Sequence, residues 1–254
     1  MLTIPFLFVK YLPRSIQSEE VFMDYTRVPY PNCVVFVRHA ESVGNIRTRE
    51  EQRSFPVGTN MYELSPRGRE QARLTGERVR ELFPNPDRIL RSYYARTNET
   101  ARFLYPDREI REDALLAERD RGMWTDAFEA EVQQHAPWEI RRRDAQGSYH
   151  YRPPGGENLP DVQMRVREFR RSLKFNYSEK TIVVVGHSQW ILLWQAIVHG
   201  WSMEETTARY HDKAALVENA SILVYRNAWD EGRNKYIMTH NPEADYEVPW
   251  KDKL

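Results

Sequence analysis

Two short apolar runs limit what this chain can fold into more than any other feature. Cys33-Val34-Val35-Phe36-Val37 ends at Arg38-His39, and Thr181-Ile182-Val183-Val184-Val185 ends at Gly186-His187. A strand with one face in water alternates apolar and polar residues, whereas a strand covered by helices on both sides is apolar throughout. Both runs follow the second pattern and are rich in β-branched residues, so they read as buried parallel strands. Each delivers a histidine to its carboxyl end.

The segments around them read as helices and further strands. Ser65-Pro66 is an N-cap followed by a first-turn proline, and Ala72, Thr75, Val79 and Leu82 then recur at the spacing of one buried stripe. Val162, Val166, Phe169 and Leu173 repeat that spacing, and Trp190 to Val198 is apolar nearly all round, as expected of a core helix. Asp87 to Ser92 is a short strand ahead of a helix starting near Arg96. Ser221 to Tyr225 and Lys235 to Thr239 form a hairpin around Asp230-Glu231-Gly232.

Alternating strands and helices predict an α/β fold: a doubly wound, mainly parallel sheet flanked by helices, with a C-terminal β-hairpin. In such sheets ligands bind at the carboxyl ends of strands, where the two histidines lie. The stretch 124–154, with Pro137, Arg141-Arg142-Arg143 and Pro153-Pro154, reads as a helical insertion over the site. The expected organisation is a single domain over 1–254, with a core at about 31–240 and an N-terminal extension at 1–30.

Charge excludes some function classes. The 37 basic residues balance 37 acidic ones, so no global field draws the protein to nucleic acid or anionic membrane, and any anion binding is local. The arginine triplet at 141–143 has no aromatic interleaving and reads as a solvated helix face. Cys33 is the only cysteine, which rules out an internal disulfide framework and fits a cytoplasmic home; within its apolar run it reads as a small buried hydrophobe. Met1 to Lys10 is apolar but lacks a basic leading segment and is broken by Pro5, so it is not read as a signal peptide, while peripheral attachment through it stays open. No run of about 18 apolar residues is present, so no integral membrane segment is expected.

The chemistry concentrates at Val37-Arg38-His39-Ala40-Glu41-Ser42-Val43-Gly44-Asn45. An arginine beside a histidine biases the imidazole toward its neutral, nucleophilic form and offers a fork of donors to a phosphate. A structural ion pair is the plainer reading of such a strand-end pair taken alone.

Arg38-His39-Ala40-Glu41-Ser42 with Asn45 resembles the Arg-His-Gly-Glu motif of the histidine phosphatase superfamily (phosphoglycerate mutase-like), whose histidine becomes phosphorylated. Further segments are similar in the same order: Leu64-Ser65 with Gly68, Gln71 and Ala72; Ser92 with Arg96, Thr100 and Ala101; Glu118 before Gly122; and Gly186-His187-Ser188. Together they extend from residue 34 to about 190. The resemblance implies His39 as nucleophile, Arg38, Arg96 and His187 as holders of the phosphoryl oxygens with Asn45 and Ser188 beside them, and Glu118 as proton donor. It implies a metal-independent phosphatase acting through phosphohistidine on a small phosphorylated substrate, with no cofactor. Glu118 as a partner for Arg119 or Arg121, and Arg96 as a surface helix arginine, are the plainer alternatives. Gly155-Gly156-Glu157 is explained as a turn before a helix and is given no catalytic role.

Departures from the family pattern sharpen the expectation. Ala40 replaces the usual glycine and Thr97 a common alanine, both small. Gly44 stands where phosphoglycerate mutases carry tryptophan, and Gly58-Thr59-Asn60 lacks their Gly-Trp and aspartate, so phosphatase ranks above mutase. Arg47, Arg49, Arg53, Arg119 and Arg121 lie near the matched motifs and suggest a multiply anionic substrate. Gly186-His187-Ser188-Gln189-Trp190 also resembles a nucleophile elbow with Ser188 as nucleophile, but Trp190 occupies a position where that tight turn needs glycine. A catalytically silent relative that binds phosphorylated ligands or a protein is the rival from another class. No metal site is expected: His135, His150, His199, His211 and His240 are scattered at no ligand spacing.

Overall fold

A computed structural model describes residues 27–254. The expected extension at 1–30 and the apolar segment Met1 to Lys10 therefore fall, up to residue 26, outside the described residues.

Seven strands are present among the described residues: β1 (Cys33–Arg38), β2 (Arg88–Arg91), β3 (Arg111–Glu112), β4 (Thr181–Gly186), β5 (Ile222–Asp230), β6 (Lys235–Thr239) and β7 (Tyr246–Glu247). They form one sheet in the order β3-β2-β4-β1-β5-β6, with β7 also paired to β5. The first four of that order run parallel; β5 is antiparallel to β1, and β6 and β7 to β5. The apolar runs thus become the adjacent strands β1 and β4, with Val37 opposite Val185 and Arg38 opposite Gly186. This register sets His39 and His187 side by side just past the strand ends, and His39 N–H donates to the Gly186 carbonyl at 2.9 Å.

The helices are α1 (Val43–Ile46), α2 (Arg49–Arg53), α3 (Pro66–Leu82), α4 (Ala95–Leu104), α5 (Glu129–His135), α6 (Pro137–His150), α7 (Leu159–Tyr177), α8 (Ser188–His199) and α9 (Met203–His211). Two-residue alternation explains how both sheet faces are covered. Val34, Phe36, Ile182 and Val184 pack with α7 and α8 through Phe169, Trp190 and Trp194. Val35, Val37, Val183 and Val185 face the opposite way, onto Val79 of α3 and Ala101 and Leu104 of α4. Cys33 joins this second layer, and burial pushes its thiol up to about 11, so it is an inert core residue.

The structure corrects two expectations. The stripe on α3 holds for Ala72, Thr75 and Val79, but Leu82 is 41% exposed: it is the last helical residue, and Phe83 at the C-cap packs on the second layer in its place. The expected terminal hairpin is present, β5 and β6 pairing antiparallel across 231–234, and it continues the main sheet; what differs is the extent of its first strand. β5 is nine residues long, its first half paired with β1 and its second half with β6. Segment 124–154 is helical as expected, with α6 broken at Gly147 by a left-handed φ of 70°. No helix among the described residues is long and apolar enough to cross a membrane.

Candidate active site

The floor of the site is built by main-chain geometry. His39 follows β1 and is 4% exposed. Its Nδ1 lies 2.8 Å from the Ala40 carbonyl oxygen. A carbonyl can only accept, so Nδ1 carries the proton and Nε2 presents a lone pair. Arg96 Nε, a pure donor, points at that lone pair from 3.2 Å. Arg96 Nη2 lies 3.3 Å from His187 Nδ1, which by the same reasoning accepts. The remaining proton of His187 is then on Nε2, a buried donor without a protein partner, as is Arg38 Nε. Two unsatisfied donors beside a nucleophilic nitrogen make a receptor for an anion.

Electrostatics agree with the tautomer. Burial, then Arg96, then Arg38 holds the His39 imidazole well below the usual histidine range. His187 is depressed in the same direction by burial, Arg96 and His39. Arg38 thus contributes less to the neutrality of its neighbour than burial and Arg96 do. Arg96 is 8% exposed, which removes the surface-arginine alternative; its third nitrogen donates to the Thr59 carbonyl at 2.9 Å.

The segments that match the family pattern without bearing reactive groups hold this floor in place. Ser65 caps α3 through the Gly68 N–H, while its hydroxyl donates to Glu41 Oε1 at 2.6 Å and its own N–H to the Glu41 carbonyl. Gln71 Oε1 accepts the Glu41 N–H. Gly68 presses on the same carbonyl so closely that an added Cβ would lie 1.8 Å from its oxygen. Thr100 Oγ1 accepts the Ala40 N–H, and Asn219 Nδ2 donates to the His39 carbonyl. Every peptide group around His39 is thereby fixed.

Glu118 lines the same cavity of about 340 Å³, with Arg38, His39, Asn45, Arg96 and Ser188. Its Oε1 accepts the Arg119 N–H at 3.0 Å, and it forms no ion pair with Arg119 or Arg121. Burial raises its pKa above the usual carboxylate value, against the opposing pull of that hydrogen bond and of Arg96, Arg38 and Arg165. The loop that carries it is tied down on both sides. Arg165 of α7 donates to the Leu115 and Ala117 carbonyls and pairs with both oxygens of Glu157. Glu157 also accepts the Asp120 N–H, and its carbonyl accepts Arg119 Nε. Gly122, at φ 51°, and Gly156 touch backbone to backbone, where an added Cβ at Gly122 would lie 2.3 Å from the Pro154 carbonyl oxygen. The Gly155-Gly156-Glu157 turn, read from sequence as a turn only, is the brace of the Glu118 loop.

All the candidate site residues, His39, Glu118, His187, Arg38, Arg96, Asn45 and Ser188, lie in or against one cavity. Asn45 Oδ1 is spent on Ser42, accepting its N–H and hydroxyl, which leaves the amide nitrogen outside those bonds. The five outlying arginines divide: Arg47 stacks on Phe55 at 3.5 Å and Arg53 pairs with Glu131, while Arg49, Arg119 and Arg121 stay near the cavity. Tyr94 escaped sequence reasoning, although its ring lies 4.3 Å from the Arg96 guanidinium and edge-on to His187 at 4.8 Å; the Tyr93-Tyr94 pair ahead of the helix was its one visible signal. Thr59 acts through its carbonyl and left none. Among the described residues no three of His, Cys, Asp or Glu cluster to hold a metal ion.

Residues 34–229 match the family model described as the histidine phosphatase superfamily, branch 1. The chain is 32% identical over 159 residues to phosphoserine phosphatase 1 of Hydrogenobacter thermophilus, covering 61% of this chain and 70% of that protein. It is 28% identical over 183 residues to the 6-phosphofructo-2-kinase/fructose-2,6-bisphosphatase of Gallus gallus, covering 70% of this chain but only 36% of that longer protein. The structure of a mycobacterial glucosyl-3-phosphoglycerate phosphatase superposes with a TM-score of 0.59 at 22% identity, over 82% of this chain and 97% of that one. At that identity the likeness is one of fold.

Proposed function

The chain belongs to the histidine phosphatase superfamily, and from that premise we propose that it is a metal-independent phosphomonoester hydrolase working through phosphohistidine at His39. The observation that carries the reading is the convergence of a proton-free His39 Nε2, the buried guanidinium of Arg96 at 3.2 Å and the unpartnered His187 Nε2–H. The relative named phosphoserine phosphatase 1, at 32% identity, supports the same class.

In the first step the His39 Nε2 lone pair attacks phosphorus as the bond to the ester oxygen breaks. Arg96 turns its donors from Nε2 onto the phosphoryl oxygens, joined by Arg38 and His187, with Asn45 and Ser188 at the rim. Charge accumulating on those oxygens in the transition state is met by donors already in place, each worth roughly 3 kcal/mol of barrier. Glu118, whose carboxyl is pushed by burial toward its protonated form, gives its proton to the departing alkoxide. In the second step the Glu118 carboxylate takes a proton from water, the water oxygen attacks phosphorus, and the P–N bond breaks to return neutral His39 and inorganic phosphate.

The test is phosphorus NMR of a phosphomonoester mixture, including phosphoglycerates with a bisphosphoglycerate primer, incubated in chelator with the wild type and with His39→Ala. Inorganic phosphate should grow with the wild type alone. Isomer exchange without net phosphate would make the protein a mutase, and no reaction at all would leave a phosphate-binding protein.

A further inference from the structure

The wall between the reactive cavity and its neighbour has an unusual charge arrangement. A second cavity of about 260 Å³ opens beside the first, and Arg119 and Arg121 line both. Arg49 joins them on the second side. Many arginines elsewhere on this surface face a carboxylate, as in Arg73 with Glu70 and Glu77, Arg78 with Glu81 and Glu247, and Arg152 with Asp161. These three do not. Arg49 Nη2 donates to the Trp124 and Ala127 carbonyls, leaving Nε and Nη1 without a protein acceptor. Arg119 is held by the Glu157 carbonyl and the Tyr210 hydroxyl, leaving Nη2. The Arg121 side chain makes no hydrogen bond to the protein, and its pKa is depressed by burial first and then by the nearby charges of Arg49 and Arg119. Of the acids nearby, Glu129 is held by Arg143 through two bonds, and Asp120, whose Oδ1 accepts the Gly122 N–H, forms no ion pair with any of the three.

Three guanidiniums without an ion pair repel one another, the more weakly where solvent screens them, and an anion seated among them would relieve that repulsion. Two of them are also fixed by backbone or tyrosine contacts, so the donors left over keep their directions. We propose that Arg49, Arg119 and Arg121 form a second anion subsite, continuous with the phosphoryl cavity, and that the substrates are phosphomonoesters bearing a further carboxylate or phosphate. The proposal rests on the phosphatase reading for its substrate and on the arginine geometry for its site. A substrate with one charged end would leave the shared wall unsatisfied; one with two would bridge it.

Arg121 is the residue to change, because it supports nothing in the fold. Matched substrate pairs differ only in the second anion: 3-phosphoglycerate against glycerol 3-phosphate for a carboxylate, and fructose 1,6-bisphosphate against fructose 6-phosphate for a phosphate. The wild type should favour the doubly anionic member of at least one pair in kcat/KM, and Arg121→Gln should cut that preference roughly 10- to 100-fold, the effect of removing a charged hydrogen-bond partner, with the singly anionic member turned over as before. The pair that responds identifies the second anion. Equal treatment of both members of each pair by the wild type, or a preference that survives Arg121→Gln, overturns the subsite while leaving the phosphatase reading intact. Calorimetry with the same doubly anionic compounds on His39→Ala separates the opposite case: binding weakened by adding Arg121→Gln supports the subsite even without turnover, and binding indifferent to Arg121 removes it.

Discussion

The floor and the rim of the cavity are built on opposite principles. At the floor, His39, Arg96 and His187 are buried, the His39 and Arg96 donors are aimed by carbonyls and ring nitrogens, and the peptide groups around His39 are pinned by Gln71, Thr100 and Asn219. At the rim, Arg49, Arg119 and Arg121 come from α2 and the loop after Glu118 and face solvent in part; Arg49 leans on the Trp124 and Ala127 carbonyls ahead of α5, Arg119 on the Glu157 carbonyl and the Tyr210 hydroxyl, and the Arg121 side chain on neither. A rigid, dehydrated floor strengthens fixed charges aimed at one phosphoryl group. A wetter rim can change its residues without disturbing that chemistry. Rate should therefore depend on the floor, and substrate choice on the rim.

The largest effect that would sharpen this contrast is at the nucleophile. His39→Ala should lower kcat by at least about 10⁴-fold on every phosphomonoester, since it removes the nucleophile. Glu118→Gln should cost about 10²- to 10³-fold on alkyl phosphates and much less on an aryl phosphate, whose leaving group needs no proton. Glu118 acts as acid only while protonated and its pKa is raised, so wild-type activity should fall as pH rises through that value, and the variant should lack this alkaline limb. Arg165→Gln should be milder, about tenfold in kcat. Removing a cation that favours the Glu118 carboxylate raises the carboxyl pKa further, so the alkaline limb should move to higher pH; an unmoved limb would reduce Arg165 to a packing residue.

The smallest effect concerns stability. His39 and His187 hold folded pKa values below the free value of 6.5, so below that pH the unfolded chain binds more protons and stability falls as pH drops. Glu118 works in the opposite sense, since its raised value lets the folded chain keep a proton that the unfolded chain has lost above 4.5. His187→Asn removes one of the two histidine contributions. Denaturant unfolding at about pH 7.5 and about pH 5.5 should show a smaller stability loss on acidification in the variant than in the wild type. An equal or larger loss would break the claim that the floor keeps its imidazoles neutral.

How legible all this was in the sequence follows the same division. The parallel core was visible because burial on both faces leaves an unbroken apolar signature at Val34–Val37 and Ile182–Val185. His39 and His187 were visible because they follow those strands, whereas Arg96, on α4, was reached through the family resemblance. Leu82 was misplaced because periodicity does not say where a helix stops, and the extent of β5 was missed because its second half, partly exposed, lacks an apolar signature. Contacts made by carbonyls, such as Thr59 with Arg96 or Leu115 and Ala117 with Arg165, have no side-chain code at all. The role of Glu157 in bracing the Glu118 loop could be seen only once the fold had brought residues 118 and 157 together.

The central claim is that the phosphoryl group passes through His39 Nε2. Rapid mixing of wild-type protein with a good phosphomonoester in chelator, alkaline quench and phosphorus NMR should reveal a protein-bound phosphoramidate that is lost on acidification and is absent from His39→Ala. Steady turnover with no phosphorylated protein in the wild type, or the same phosphoramidate in His39→Ala, would contradict it.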